Sequence, residues 1–227
     1  MTRAPVPMRR PQAVIFDMDG LMLDTERLAP RAWVDAAAAL DVEFDMALIP
    51  PMVGRNFRDC QAIVDAHYGP AYPTAALMQA WHVAYDAIVA REGIIVKAGL
   101  VALLDWLDAQ GIAKAVATST RRDRAQAKLA QTALLPRFAT LVGGDEVARG
   151  KPAPDIFLEA ASRLRQPATG CIVLEDSEPG VRAALAAGMT PIMVPDLHLP
   201  SAALLAMQPL VVASLEDVPS RLAALPA

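Results

Sequence analysis

Two aspartates separated by a single residue, Asp17 and Asp19, stand directly after an apolar run in the segment VIFDMDG at residues 14–20. Neighbouring carboxylates repel each other and raise each other's pKa, so such a pair is costly unless the protein uses it. In an extended chain, residues two apart share a face, and both side chains can reach one reacting atom. The spacing therefore marks Asp17 and Asp19 as candidate catalytic residues.

Further polar residues follow later apolar runs. Thr118 and Ser119 follow AKAVA, Glu175 and Asp176 close the run CIVLED, and Lys151 comes after TLVGGDEVARG. If these runs are strands of a parallel sheet, their carboxyl ends meet at one edge, which is where open α/β sheets bind ligands. The sequence therefore predicts acidic groups, hydroxyls and one lysine at a single rim.

This set of residue types indicates a particular chemistry. Crowded carboxylates call for a cation, and hard oxygen ligands without clustered His or Cys favour Mg²⁺ over zinc. A lysine and hydroxyls beside that ion would suit a dianion such as phosphate. A carboxylate next to a metal, with a second carboxylate for proton transfer, can act as a nucleophile.

The elements that must position these residues follow from the apolar pattern. A strand is predicted at residues 13–16, and a helical pattern with three- and four-residue spacing runs from about residue 26 to residue 92. After it, short strands alternate with helices, which predicts a mainly parallel sheet. The predicted later strands are AKAVAT, TLVGG, CIVLE, TPIMV and LVVA, and the predicted later helices are Leu100–Gln110, Arg122–Thr132, Pro154–Leu164 and Val181–Ala187. The expected fold is an open α/β sheet with an all-helical insertion, meaning residues 26–93.

Composition excludes several function classes. The 227 residues carry a net charge of −4, and no basic run interleaves with aromatic residues, so we do not expect nucleic-acid binding. No stretch approaches the roughly 18 apolar residues of a membrane span. The N-terminal MTRAPVPMRRPQ is positively charged but lacks the apolar core of a signal peptide, and the two cysteines have no CxxC spacing. We expect a cytoplasmic enzyme without membrane partners.

The stretches FDMDGLMLDTE, ATST, GKPAPDIF and VLEDSEPG resemble, in order and spacing, the four motifs of the haloacid dehalogenase superfamily. The resemblance covers nearly the whole chain. The helical insertion resembles the C1 cap of β-phosphoglucomutase-like phosphatases in this superfamily. The resemblance implies a Rossmann-like catalytic core at residues 12–25 and 94–227, with a mobile helical cap domain at residues 26–93.

The resemblance also implies roles for the residues at the rim. Asp17 would be the nucleophile that forms an aspartyl-phosphate. Asp19 would protonate the leaving oxygen and then activate water. The phosphoryl oxygens would be held by Thr118, the Ser119 backbone and Lys151.

The implied cofactor is Mg²⁺. Its ligands would be Asp17, the backbone carbonyl of Asp19, and Asp176. Glu175 is a weaker candidate that can act through a neighbouring ligand instead.

Alternatives within the superfamily can be weighed on single residues. Dehalogenases lack the second aspartate, and phosphonatases use a lysine that RLAPRAW, at residues 27–33, does not supply. β-Phosphoglucomutase carries a histidine at the position of Ala29, so hydrolysis is favoured over a mutase reaction. A catalytically silent binding module remains open until phosphate release is measured. A response-regulator receiver domain is disfavoured because it has no helical insertion after its first strand.

The expected substrate is a small phosphorylated metabolite, with sugar phosphates favoured and phosphoglycolate and nucleoside monophosphates left open. In VGRNFRDC, Arg55 would hold distal groups of the substrate or be a solvated surface charge. The roles of Asn56 and Arg58 are equally open. The oligomeric state cannot be predicted, although enzymes of this kind are often monomers because cap opening must not be blocked.

Overall fold

A computed structural model of the protein describes residues 10–226. The described range leaves out residues 1–9, which are most of the N-terminal MTRAPVPMRRPQ. It also leaves out residue 227, the last residue of the predicted core.

The centre of the molecule is a six-stranded parallel sheet in the order β3-β2-β1-β4-β5-β6. The strands β1 to β6 are Ala13–Phe16, Ala113–Ala117, Thr140–Val142, Cys171–Glu175, Thr190–Met193 and Leu210–Val211. Each predicted strand is present, and the α/β Rossmann-like fold class is confirmed. From β1 the chain adds β2 and β3 towards one edge of the sheet, and it then crosses back to add β4 on the other side of β1. The strand order therefore reverses between β1 and β4, and such a switch point is where open α/β sheets bind ligands.

The helices divide into two groups. The first group lies in the insertion between β1 and β2: α1 Ala29–Leu40, α2 Ile49–Met52, α3 Phe57–Tyr68 and α4 Thr74–Glu92. The second group belongs to the sheet: α5 Leu100–Ala109, α6 Arg122–Gln131, α7 Asp155–Leu164, α8 Glu178–Ala186, α9 Ala202–Leu205 and α10 Val218–Ala223. Across residues 10–226, none of them is long and apolar enough to cross a bilayer.

Strand β1 is apolar throughout because both faces of the sheet are covered. Val14 and Phe16 pack into one apolar cluster together with α5 and α10, and Ala13 and Ile15 pack into a second cluster together with α7 and α8. All four residues are fully buried. This two-sided burial fixes the end of the strand, and hence the position of Asp17.

Helix α8 begins earlier than predicted, at Glu178 rather than Val181. The Ser177 side chain accepts a hydrogen bond from the backbone N–H of Gly180 and so caps the helix. Pro179 is tolerated in the first turn because its missing N–H would have no partner there. The segment between Ser177 and Val181 is therefore the first turn of α8 rather than a loop.

The helical insertion has its own apolar cluster, which includes Trp33, Met52, Val64 and Leu77. Its two connections to the sheet run side by side: the Asp24 N–H donates to the Ile95 carbonyl at 2.9 Å, and the Lys97 N–H donates to the Met22 carbonyl at 2.9 Å. The insertion thus leaves and rejoins the sheet at one place. The division into a core and a cap domain at residues 26–93 stays a prediction.

Candidate active site

The carboxyl edge of the sheet brings together most of the residues that the sequence singled out. Asp17 follows β1, Thr118 follows β2, Glu175 ends β4, and Lys151 comes from the segment between β3 and α7. All four are buried, with Lys151 only 1% exposed. The site therefore lies at the switch point of the sheet.

Lys151 lies between two carboxylates. Its Nζ donates to Asp17 Oδ1 and to Glu175 Oε1, the latter at 2.6 Å. Burial by itself lowers the pKa of Lys151, but the charges of Asp17 and Glu175 outweigh it and hold that pKa above its ordinary value. The ammonium group is therefore charged and fixed beside the candidate nucleophile.

Asp17, Glu175 and Asp176 form a carboxylate cluster, in which one ligand atom of each residue lies within 4.8 Å of the others. Burial raises the pKa of Asp17 to about 8, with Lys151 lowering it and Glu175 raising it. Burial, followed by the charges of Glu175 and Asp17, also raises the pKa of Asp176 well above its ordinary value. One lysine does not balance three buried carboxylates, so the cluster favours a further cation.

Two observations test whether Mg²⁺ fits this cluster. A side chain at Gly20 would place its Cβ 2.3 Å from Asp176 Oδ2, so the glycine allows that carboxylate to approach the backbone just after Asp19. The second oxygen of Glu175, Oε2, accepts from the N–H and the hydroxyl of Ser177, at 2.8 and 2.9 Å. The hard-oxygen donor set suits Mg²⁺, with Asp17 and Asp176 the freer ligands and Glu175 held by its neighbours.

The Asp19 carboxylate has a separate set of partners. It accepts hydrogen bonds from the hydroxyls of Thr25 and Thr120, at 2.7 and 2.6 Å, and from Lys128 Nζ at 2.6 Å. Burial alone would raise the pKa of Asp19, but Lys128 and the two hydroxyls hold it below its ordinary value. Because the side chain is engaged by these groups, a metal ligand from this residue would have to be its backbone carbonyl.

The two residues after β2 differ in their contacts. The Thr118 hydroxyl is buried and accepts from the Thr120 N–H at 3.1 Å. The Ser119 hydroxyl donates to the Gly54 carbonyl at 2.8 Å, which ties the sheet edge to the helical insertion. The side chain of Ser119 is therefore occupied, whereas its backbone is the part that the sequence predicted to hold phosphate.

A cavity of about 170 Å³ lies between the sheet edge and the insertion. Its walls include Asp17 and Asp19 on one side and Ala29, Arg55 and Trp81 on the other. Arg55, which the sequence suggested as a substrate-binding residue, lies in this cavity wall, and its role stays a prediction. The Arg55 Nε donates to the Pro51 carbonyl at 2.9 Å, which orients the guanidinium group.

Asn56 and Arg58 make structural contacts beside the site. The Asn56 side chain caps α3 by accepting from the Asp59 N–H at 2.9 Å, and it packs so closely on Gly150 that a Cβ there would lie 2.0 Å from Asn56 Nδ2. Arg58 donates to the Ala148 carbonyl at 2.7 Å. Both residues hold the insertion against the segment that carries Lys151.

Sequence reasoning missed three partners of Asp19. Thr25 and Thr120 stand inside stretches that were singled out, but nothing local showed where their hydroxyls point. For Lys128, the helical spacing gave an indication. Lys128 lies three residues after the buried Ala125, so it is near the side of α6 that packs against the rest of the protein. A lysine in that position needs an acidic partner.

Comparison with known proteins places this geometry in a family. The model for haloacid dehalogenase-like hydrolases matches residues 11–188. Fructose-1-phosphate phosphatase YqaB from Escherichia coli is 32% identical over 181 residues, which cover 78% of this chain and 92% of that protein.

Two solved structures are similar over nearly the whole chain. CbbY from Rhodobacter sphaeroides, in complex with phosphate, is 27% identical with a TM-score of 0.78, and covers 92% of this chain and 96% of its own. A putative β-phosphoglucomutase from Thermotoga maritima is 28% identical with a TM-score of 0.73, over 93% and 98% of the two chains. The chain thus belongs to the haloacid dehalogenase-like hydrolases, the superfamily that its four motifs predicted.

Proposed function

We propose that the protein is a Mg²⁺-dependent phosphatase that hydrolyses a small phosphate monoester, of the sugar-phosphate type, through an aspartyl-phosphate on Asp17. The observation that carries the proposal is the buried Lys151 held between Asp17 and Glu175, with Asp19 lining the same cavity as Asp17. The chain is a phosphoric monoester hydrolase of its superfamily, and its E. coli relative is a fructose-1-phosphate phosphatase. A cytoplasmic location and a monomeric state are part of the proposal.

The first half of the reaction forms a phospho-enzyme. An oxygen of Asp17 attacks phosphorus, and the ester oxygen leaves with a proton from Asp19. Because Lys128 and two hydroxyls hold Asp19 ionised in the absence of substrate, Asp19 takes up that proton when the negatively charged ester binds beside it. Lys151, the Thr118 hydroxyl and the Ser119 N–H face the phosphoryl oxygens and stabilise their charge in the transition state. A magnesium ion held by Asp17, Asp176 and the Asp19 carbonyl would add charge neutralisation.

The second half returns the enzyme to its starting state. A water molecule attacks the phosphorus of the aspartyl-phosphate and gives its proton to Asp19. The bond between phosphorus and the Asp17 oxygen breaks, which releases inorganic phosphate. The one carboxyl group of Asp19 thus serves as an acid and then as a base.

A mutase is the second candidate, because one similar solved structure is a putative β-phosphoglucomutase. Here Ala29 lines the cavity with a methyl group, where that enzyme class carries a histidine. A methyl group cannot hydrogen-bond a sugar hydroxyl or take part in proton transfer. We therefore favour transfer to water over transfer to a second sugar phosphate.

The cavity supports a small substrate with a nonpolar face. Its insertion side includes Trp33, Phe57, Met78 and Trp81, together with the Arg55 side chain. Aromatic rings can pack against the C–H face of a sugar ring, while a guanidinium group can bind a hydroxyl or a second anionic group. We propose that Arg55 binds the part of the substrate farthest from the transferred phosphate.

The test is phosphate release from sugar phosphates, phosphoglycolate, nucleoside monophosphates and p-nitrophenyl phosphate, with Mg²⁺ or with EDTA. We expect release with Mg²⁺, loss with EDTA, and loss in Asp17→Asn. Asp35→Asn, a change on the exposed face of α1, is the matched control and should keep full activity. Interconversion of sugar phosphates without release would favour the mutase, and no turnover of any kind would leave a silent binding module.

A further inference from the structure

Lys128 is a partly buried lysine whose ammonium group contacts two parts of the molecule. It lies on α6, its side chain is 12% exposed, and its Nζ is 2.6 Å from Asp19 Oδ1. The same Nζ lies over the ring of Tyr85, 4.9 Å from the ring centroid. Tyr85 belongs to α4 of the helical insertion. One charged group therefore contacts both the proposed acid and the insertion.

We propose that Lys128 is a positioning residue that fixes the Asp19 carboxylate for proton transfer to the leaving oxygen, and that Tyr85 makes this orientation depend on closure of the insertion. The proposal rests on the function proposed above. Lys128 contacts Asp19 and Tyr85 contacts Lys128, so in this proposal both residues act through Asp19.

The hydrogen bonds to Asp19 come from three different segments. Thr25 lies in the connection from β1 to the insertion, Thr120 lies between β2 and α6, and Lys128 lies on α6. Three donors distributed over the two oxygens of Asp19 restrict rotation of the carboxylate. Lys128 supplies the charged donor of the three, and charge-assisted hydrogen bonds are about twice as strong as neutral ones. Without it, the carboxyl group gains freedom to turn away from the ester oxygen. This loss of orientation outweighs the easier protonation of Asp19 that follows from removing the charge of the lysine.

Tyr85 has features that fit this role. It is 4% exposed, it lines the same cavity as Asp19, and within residues 10–226 its hydroxyl has no hydrogen-bond partner. Its ring face attracts the Lys128 ammonium, an attraction that strengthens when water is excluded. If the insertion moves away, the ring leaves with it, and Lys128 becomes hydrated and less firmly bound to Asp19. Closure would thereby complete the orientation of the acid.

The test compares two esters that differ in their need for a proton. A sugar alkoxide leaves only when Asp19 protonates the ester oxygen as the P–O bond breaks, whereas p-nitrophenolate leaves without a proton. In Lys128→Met we expect kcat/KM for a sugar phosphate to fall about 100-fold, the loss that a misplacement of about 1 Å can cause. For p-nitrophenyl phosphate we expect a fall of less than about threefold, since phosphoryl transfer to Asp17 itself is untouched.

Further variants show whether Lys128 acts through Asp19. In an Asp19→Asn background, Lys128→Met should lower kcat/KM for the sugar phosphate little further, because residues that act as a unit are not additive. Lys128→Arg keeps the charge and should restore part of the lost activity. Tyr85→Leu should reproduce the ester-dependent loss at about tenfold. Tyr85→Phe keeps the ring and should resemble the wild type.

Lys114→Met is the matched control. Lys114 is buried and, like Lys128, pairs with an aspartate, which is Asp108. It stands near the start of β2, away from the carboxyl edge. Lys114→Met should lower the free energy of unfolding without changing the ratio of kcat/KM for the sugar phosphate to kcat/KM for p-nitrophenyl phosphate.

An equal loss for both esters, a full further loss in the Asp19→Asn background, or a raised KM at unchanged kcat would overturn the positioning role. If the wild type hydrolyses neither ester, the proposed function falls and this inference falls with it. If the wild type hydrolyses both and Lys128→Met leaves their ratio unchanged, the inference alone fails.

Discussion

Glu175 is fully buried, and both of its oxygens are taken by neighbours. One accepts from Lys151 and the other from Ser177, so we expect Glu175 to hold the lysine in place. The sequence suggested a carboxylate at this position, but it could not separate a metal ligand from a support. The distinction depends on Ser177 and on Gly180, where an added Cβ would lie 1.7 Å from Glu175 Oε1.

We predict that Gly180→Ala is harmful although it lies in the first turn of α8. An alanine inside a helix is normally better than glycine by about 0.5–1 kcal/mol. Here the new methyl group must displace Glu175 from Lys151, so we expect a loss of about 1–3 kcal/mol in the free energy of unfolding. We also expect a lower kcat. Urea unfolding and phosphate release measure the two effects.

The control for this prediction is Gly188→Ala. Gly188 has a φ of +73°, and apart from Gly188 itself and its two chain neighbours, no heavy atom of the described residues lies within 4 Å of the added Cβ. This change strains the backbone by roughly 1–2 kcal/mol and should leave kcat unaltered. Full activity in Gly180→Ala would show that the contact between Glu175 and Lys151 is not needed.

Arg55 and Arg58 form a second matched pair at the residue scale. Arg55 lines the cavity, whereas Arg58 is exposed and donates to the backbone carbonyl of Ala148, between β3 and α7. We predict that Arg55→Ala raises KM for sugar phosphates about tenfold, as expected for loss of a charged hydrogen bond, with kcat little changed. Arg58→Ala should change KM by less than about threefold, because exposed polar contacts contribute little. Equal effects in the two variants would contradict the proposed role of Arg55.

At the scale of helices and strands, the sequence predicts an element well where a single local pattern determines its type and its ends. Strand β1 could be predicted because four apolar residues end on a polar pair, and two-sided burial requires that pattern. The start of α8 was missed because proline and glycine usually mark turns, yet both fit the first turn of a helix. Lys128 was missed because a helical pattern shows which residues share a face but not what the face covers.

Asn56 provides a prediction about the start of α3. Its side chain caps the helix and packs on Gly150, and within residues 10–226 it is not part of the cavity wall. We predict that Asn56→Ala lowers the free energy of unfolding by about 1 kcal/mol, the usual value of an N-cap. Asn56→Ser, which keeps a capping oxygen, should be close to the wild type in stability. A large loss of kcat/KM in both variants would instead point to contact with the substrate.

At the scale of the molecule, the site is closed by contacts between residues far apart in the chain. Ser119 meets Gly54 across 65 positions, and Arg124 pairs with Asp86 across 38. No local pattern encodes such pairs, since their partners are fixed only when the insertion packs over the sheet edge. The sequence could therefore predict the rim and the insertion separately but not the wall that they form together.

The proposed metal site would link Mg²⁺ binding to the stability of the whole molecule, because its carboxylates are buried. Without metal, the folded protein holds Asp17 at a pKa of about 8 against an ordinary value of 3.8, so between these values it binds more protons than the unfolded chain. Its contribution to stability is therefore present at low pH and is lost as pH rises through about 8. Mg²⁺ bound at the cluster, as proposed, would replace the proton and remove this loss.

We predict that Mg²⁺ stabilises the protein more at about pH 8.5 than at about pH 5.5, where protons compete for the same oxygens. At one fixed concentration, about 100 times the dissociation constant at pH 8.5, the ion should add about 2.7 kcal/mol to the free energy of unfolding at pH 8.5 and less at pH 5.5. Urea unfolding with Mg²⁺ or EDTA at both pH values measures the gain. Asp176→Asn removes one ligand and should abolish most of it, whereas Asp35→Asn should not. A gain that is the same at both pH values would mean that the ion binds somewhere other than the carboxylate cluster.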